Sequence, residues 1–210
     1  MTSRRVRAYI GLGSNVGDSN ATLASVVRSL GELPASQLRG VSRLYATDPV
    51  GVTDQPVFRN AVVALDVLSG ADPATGAMAL LTALKGLERV FGRHDRGRWG
   101  PREMDLDLLV FGRARLAIER TPEARSIDAD TDADPRATGK LLVVPHASAV
   151  ERLFVLAPLA DLAPRLVPPG WGRSVEGARR EQLAVEGPDA VRAIGTWDVN
   201  AMDWEPLQPR

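Results

Sequence analysis

The apolar positions of this chain alternate between strand-like runs and helix-spaced stripes. Val6 to Leu12 is β-rich and closes on the turn cluster Gly13-Ser14-Asn15, which predicts a first strand. Leu23, Val26, Val27, Leu30 and Leu33 follow at spacings of 3, 4, 7 and 10, one apolar stripe of a helix. Asn20 or the serine before it is placed to cap that helix, and Pro34 closes it. Two further strands, Val41 to Thr47 and Ala61 to Val67, flank the loop Asp48-Pro-Val-Gly-Val-Thr-Asp-Gln-Pro56. Pro73 opens a long helical pattern through Met78, Leu81, Leu84, Glu88 and Phe91, and Gly92 stops it. A basic, unpatterned loop precedes Pro101, and Asp105 to Phe111 is a strand.

From Glu119 to Lys140 the chain is rich in Asp, Ala, Thr and Pro, the composition of a surface insertion with little fixed structure. Leu141 to Val144 returns to strand character, and Arg152 to Leu162 forms a helix before Pro164. After Pro168-Pro169-Gly170 the pattern weakens into a tail holding Trp171, Trp197 and Trp204. The order β-α-β-β-α-β, then β-α, predicts an α+β fold: a ferredoxin-like βαββαβ core, a mostly antiparallel sheet with helices packed on it in α/β/α layers. Residues 1–170 are read as a single domain with a flexible insertion at about 119–140, and 171–210 as a C-terminal extension.

Composition narrows the chemistry. The chain has 210 residues, 44% apolar and 25% charged, which suits a folded domain rather than a disordered or membrane-embedded chain. Lys plus Arg and Asp plus Glu number 26 each, so no global basic excess points to nucleic acid. Cysteine is absent and histidine is limited to His94 and His146, which excludes disulfides, thiolate sites and multi-histidine metal centres. Any metal therefore sits on carboxylates, favouring magnesium. The apolar run near the N-terminus is too short for a signal-peptide core, and no stretch of membrane-spanning length occurs, so a cytoplasmic location is expected.

The sharpest local pattern is Arg98-Trp-Gly-Pro-Arg-Glu-Met-Asp-Leu-Asp107. Alternation on a strand projects Asp105 and Asp107 from one face, roughly 6–7 Å apart, with Leu106 and Leu108 on the other. Like charges that close want magnesium carrying phosphate, and Arg93, Arg96, Arg98 and Arg102 suit phosphate oxygens through paired N–H donors. Phe58 and Asn60 could stack on and hydrogen-bond a flat heterocycle, although the plainer reading of that loop alone is a core ring and a strand-start cap. Gly11-Leu-Gly-Ser-Asn-Val-Gly17 misses the dinucleotide fingerprint because its third glycine comes one residue late. His146 is a lone histidine, a type more often structural than ligand-binding.

Taken together, Gly11-Leu-Gly-Ser-Asn-Val-Gly-Asp18, Asp54-Gln-Pro-Val-Phe-Arg-Asn60, Glu88-Arg-Val-Phe-Gly-Arg93, Arg98-Trp-Gly-Pro-Arg-Glu-Met-Asp-Leu-Asp107 and Val144-Pro-His146 resemble the 6-hydroxymethyl-7,8-dihydropterin pyrophosphokinase family of the folate pathway. The resemblance covers residues 6 to 168 and implies transfer of diphosphate from ATP, the co-substrate, to the pterin hydroxymethyl oxygen. It implies that Asp105 and Asp107 hold two magnesium ions and that Arg93 and Arg102 grip the phosphates. Arg98, His146 and Arg152 fall near the nucleotide, Lys85 and Glu88 on the ATP side of a helix, and Leu108 and Val143 as apolar walls for adenine. The pterin is implied to stack between Phe58 and Phe154, bonded by Asn60 and by backbone around Thr47 and Val50, with Trp99 closing over it. The partners implied are ATP and 6-hydroxymethyl-7,8-dihydropterin, with no nucleic acid or membrane, and the chain is expected to be a monomer. Phe58 stands where some members carry tyrosine, which removes a hydroxyl but keeps the ring face.

Two rivals use the same residues differently: a non-catalytic ferredoxin-like binding module, and a phosphohydrolase whose aspartate pair activates water. Neither needs Trp99, Phe58, Asn60 and Phe154 together with the arginines. The insertion generates a prediction of its own. Replacing Ser126 to Thr138 by a short Gly-Ser link should leave thermal stability and turnover nearly unchanged, since closure entropy depends only weakly on loop length.

Overall fold

The computed structural model describes residues 4–49, 54–92, 103–125 and 140–207. Its sheet is built around β1 (Arg5–Ser14), flanked by β4 (Phe58–Leu68) and β5 (Asp105–Phe111). Outward from β4 lie β2 (Gln37–Val41) and β3 (Leu44–Thr47), then β8 (Val191–Asp198) and β9 (Asp203–Pro206). All these pairings are antiparallel. With β2 and β3 counted as one interrupted strand, the order β5-β1-β4-β3 is the expected ferredoxin-like core. A separate two-stranded ribbon joins β6 (Leu116–Glu119) to β7 (Leu141–Val144).

Helices α1 (Ser19–Glu32) and α2 (Pro73–Val90) cover one face of the sheet. Their stripes, Leu23, Val26, Val27 and Leu30 on α1 and Ala77, Leu80, Leu81 and Leu84 on α2, pack on Ala8, Ile10, Leu12, Val63, Leu106 and Leu108. Helix α3 (Leu153–Leu162) packs on the opposite face, where Leu159 meets Tyr9, Val62, Ala64 and Leu109. Helix α4 (Val175–Glu186) joins this second layer through Val175. Among the described residues, no helix is long and apolar enough to cross a membrane.

Several local expectations shift. The cap of α1 is Asp18, which accepts from Ala21 N–H at 3.1 Å, rather than Asn20 or Ser19. The strand expected over Val41–Thr47 breaks at buried Ser42, whose hydroxyl accepts from Val62 N–H at 2.8 Å. β1 runs on through Gly13 to Ser14 instead of turning there. The insertion begins inside ordered structure: Glu119 ends β6 opposite Leu141, and Ala124 is fully buried. Residues 126–139 lie outside the described residues.

The weakly patterned tail is the largest departure. It supplies α4 and extends the sheet, with β8 pairing along β3 through Leu44↔Gly195 and Tyr45↔Ala193. Trp204 is buried, meets Trp197 edge to face at 4.7 Å, and donates from Nε1 to Ser42 O at 2.9 Å, an anchor at the break between β2 and β3. Between α3, α4, β3 and β8 lies a cavity of about 420 Å³ lined by Arg43, Tyr45, Asp161, Glu176 and Arg179. Asp161 accepts from Arg43 and from the Tyr45 hydroxyl at 3.0 Å, and burial pushes Tyr45 well above the usual phenol range. Bonds from Arg179 and then Arg180 hold Glu176 down to about 2.

Two predictions test this packing. A Cβ on Gly76 of α2 would lie 2.2 Å from Ser69 O, so the helix must shift to admit one. Gly76→Ala should cost about 1–3 kcal/mol, a fall in Tm of about 2–4 °C per kcal/mol by calorimetry. Glu176 has a depressed folded value, so its stabilising effect is complete above its ordinary 4.5 and disappears as pH falls toward about 2. In Glu176→Gln the loss of Tm across that window should be shallower than in the parent.

Candidate active site

Antiparallel register places the candidate residues in rows across one face of the sheet. Gly13 on β1 stands opposite Asn60 on β4 and opposite Asp105 on β5. One step along, Gly11 stands opposite Val62 and Asp107, while Asn60 also pairs with Tyr45 and Phe58 with Thr47 on β3. Paired residues share a face, so Phe58, Asn60, Thr47, Asp105 and Asp107 line the α3 side. The missing side chain of Gly13 keeps this row open: a Cβ there would meet Asn60 Oδ1 at 3.3 Å and the Asp105 Cβ at 3.9 Å.

Asn60 is buried and donates from Nδ2 to Thr47 Oγ1 at 2.8 Å, which fixes its amide against β3. Phe58 is half-buried at the start of β4, just beyond the loop. Asn15, buried at the end of β1, donates to Gln55 Oε1 at 3.1 Å and Pro56 O at 3.0 Å, tying that loop to the glycine strand. Gly11, Gly13 and Asn15 have no place among the site residues expected from sequence, because Gly13-Ser14-Asn15 reads as a turn and the glycines miss the dinucleotide fingerprint. Glycines two apart in a strand, matching aspartates two apart in another, were the available signal.

Asp105 and Asp107 are half-buried and alternate with fully buried Leu106 and Leu108. The Asp107 carboxylate has no ion pair or hydrogen bond with the other described residues, and no group of three or more acidic or histidine side chains placed to hold a metal forms among them. Two carboxylates on an open strip fit magnesium, which keeps water and phosphate oxygens in its shell rather than an all-protein cage.

On the far side of β5, the His146 N–H donates to Leu109 O at 2.9 Å, securing the chain after β7 against the aspartate strand. Arg152 immediately precedes α3, and its guanidinium lies over the Phe154 ring at 5.8 Å from the centroid. Val143 is half-exposed on β7, between core residues Leu142 and Val144. Val50, Arg93, Arg98, Trp99 and Arg102 lie outside the described residues.

Three expectations need correction. Leu108 is 2% exposed and sits in the core beneath α1 and α2, so its side chain is no adenine wall. The alternation that turns Asp107 to one face turns Leu108 to the other. Lys85 and Glu88 are 3% and 2% exposed, paired at 2.6 Å, and bonded to the backbone of β5 rather than presented to a nucleotide.

Residues 9–164 match the family described as 7,8-dihydro-6-hydroxymethylpterin-pyrophosphokinase. A Methylorubrum extorquens protein named 2-amino-4-hydroxy-6-hydroxymethyldihydropteridine pyrophosphokinase is 37% identical over 188 residues, covering 90% of this chain and 98% of that protein. A Pseudomonas aeruginosa protein of the same name is 38% identical over 160 residues, 76% of this chain and 82% of that one. A Plasmodium falciparum HPPK-DHPS crystal structure superposes with a TM-score of 0.69 at 12% identity, covering 98% of this chain and 51% of its own, a likeness of fold alone. The cleared row Asn60–Gly13–Asp105 and these matches lead to one conclusion: the chain belongs to the 7,8-dihydro-6-hydroxymethylpterin pyrophosphokinase family.

Proposed function

We infer that this chain performs its family's diphosphate transfer with the pterin seated at Asn60 and two magnesium ions on Asp105 and Asp107. The reaction moves diphosphate from ATP to 6-hydroxymethyl-7,8-dihydropterin in folate biosynthesis. The hydroxymethyl oxygen forms a bond to the β-phosphorus, the bond from that phosphorus to the α-phosphate oxygen breaks, AMP leaves, and the hydroxyl proton passes to solvent.

The observation that carries the reading is the single row across β4, β1 and β5. Asn60 supports the amide-like edge of a flat ring, Gly13 adds no side chain between, and the carboxylates stand one strand further on. A ring lying over this row brings its hydroxymethyl arm toward the aspartates. Phe58 and Phe154 offer π-faces for stacking, and Thr47 holds the Asn60 amide in one orientation. Asp105 and Asp107 would hold the ions, which would supply positive charge against the phosphates. Arg93 and Arg102 take the phosphate oxygens, Arg98, His146, Val143 and Arg152 the nucleotide, and Trp99 with backbone at Val50 the pterin. Little covalent work falls to the protein.

A cytoplasmic monomer suits the same reading. β5 is bonded along its outer edge by α2 and His146. The opposite edge, β9, is short and carries Asp203, Glu205 and Pro206, which discourage strand addition.

The test is incubation with ATP, magnesium and 6-hydroxymethyl-7,8-dihydropterin, followed by separation of nucleotides. AMP should form only when pterin is present; ADP, or phosphate released without pterin, would instead mark a hydrolase. Asp107→Asn should fold normally and lose turnover by about 3–4 kcal/mol of barrier. Parent-like activity of that variant at saturating magnesium would remove Asp107 from the site.

A further inference from the structure

We propose that Lys85 and Glu88 are positioning residues: a buried ion pair on α2 that sets the backbone between Asp105 and Asp107, and through it the metal pair. Glu88 Oε1 accepts from Leu106 N–H at 2.7 Å and from Lys85 Nζ at 2.6 Å. Lys85 Nζ in turn donates to Leu106 O at 2.9 Å. The two side chains thus close a ring on both polar groups of the one residue between the aspartates.

The place of Leu106 explains why such a clamp matters. β5 is an outer strand of the sheet, bonded to β1 on one side only. An outer strand leaves alternate N–H and C=O groups without a sheet partner, and a free pair at Leu106 would let the Asp-Leu-Asp segment twist. The clamp supplies those partners from inside the core. Leu106 itself is fully buried beneath α2, so its side chain pins the same residue from below.

The alternatives for the pair are weaker. Charges this deeply buried do not meet an incoming nucleotide, and as a device for stability a buried ion pair is poor, because desolvation offsets its attraction. Groups that orient metal ligands from behind commonly alter metal affinity or activity 10–100-fold when removed. Here they act on main chain, so both aspartates respond together.

The proposal rests on the reading of Asp105 and Asp107 as the metal ligands, and the experiment separates the two ideas. Mn²⁺ binding is measured by electron paramagnetic resonance in the presence of α,β-methylene-ATP, and binding of metal-free α,β-methylene-ATP by calorimetry. Both are done well below each variant's Tm. Lys85→Met and Glu88→Leu should weaken Mn²⁺ about 10–100-fold, with metal-free nucleotide affinity held within about twofold of the parent. Glu88→Gln keeps an acceptor for Leu106 N–H and should recover most of the Mn²⁺ affinity lost in Glu88→Leu. If Glu88→Leu fails to fold, Lys85→Gln, which shortens the donor without stranding it, carries the same measurements.

Parent-like Mn²⁺ affinity in the folded clamp variants overturns the proposal, provided Asp105→Asn does lose it. Loss of metal-free nucleotide binding overturns it too, in favour of direct contact. If Asp105→Asn itself binds Mn²⁺ like the parent, the metal reading fails first and the positioning role fails with it.

Discussion

The site depends on one constraint, the antiparallel register of β4, β1 and β5. Gly13 must stand level with both Asn60 and Asp105 for the buried amide and the carboxylates to share a row. Side-chain direction in a strand has a period of two, so a one-residue slip of β1 would turn Gly11 and Gly13 away and put Leu12 into the row. The apolar residues of β1 forbid that slip. Ala8, Ile10 and Leu12 are buried under α1 and α2, and exchanging faces would expose them while pressing the glycines into the core.

Around this register the molecule protects its outer strands in two different ways. β5 bears the carboxylates, and its outward backbone groups are met by Lys85, Glu88 and His146, contacts drawn from a helix and from the chain after β7. On the opposite side β3 is covered by β8 and β9, with Trp204 anchored at Ser42. The first arrangement leaves the face of β5 that carries Asp105 and Asp107 open while giving its edge backbone partners. The second stabilises β3, whose Thr47 holds the Asn60 amide, so the C-terminal segment supports that residue from behind.

Charge is used differently in the interior and at the surface. The Lys85–Glu88 pair is buried and bonds main chain on both sides, so truncating either side chain removes a bond to its partner and a bond to Leu106 together. Arg43, Asp161, Glu176 and Arg179 line an open cavity between the tail and α3, where solvent screens them. They join the tail to the body without fixing the geometry of the aspartates.

Local pattern decided the elements whose residues carry their own signal. β5 and β7 have the expected bounds, and α2 runs from Pro73 to Val90 as its proline start and glycine stop require. The Asp105-x-Asp107 alternation was legible for the same reason: it is a property of a strand alone. Tertiary structure decided the rest. β8 has few fully buried residues and becomes a strand because β3 offers an unpaired edge, information held some 150 residues away in sequence, as Leu44↔Gly195 illustrates. Glu88 already falls on the apolar stripe of α2 with Leu81 and Leu84, but only docking against β5 shows that it and Lys85 bond the backbone there. Leu108 is the converse case, since its own strand alternation already assigned it to the core. Sequence determines the period of a segment, but which edge or face that period meets is settled by packing, because the partner groups come from distant parts of the chain.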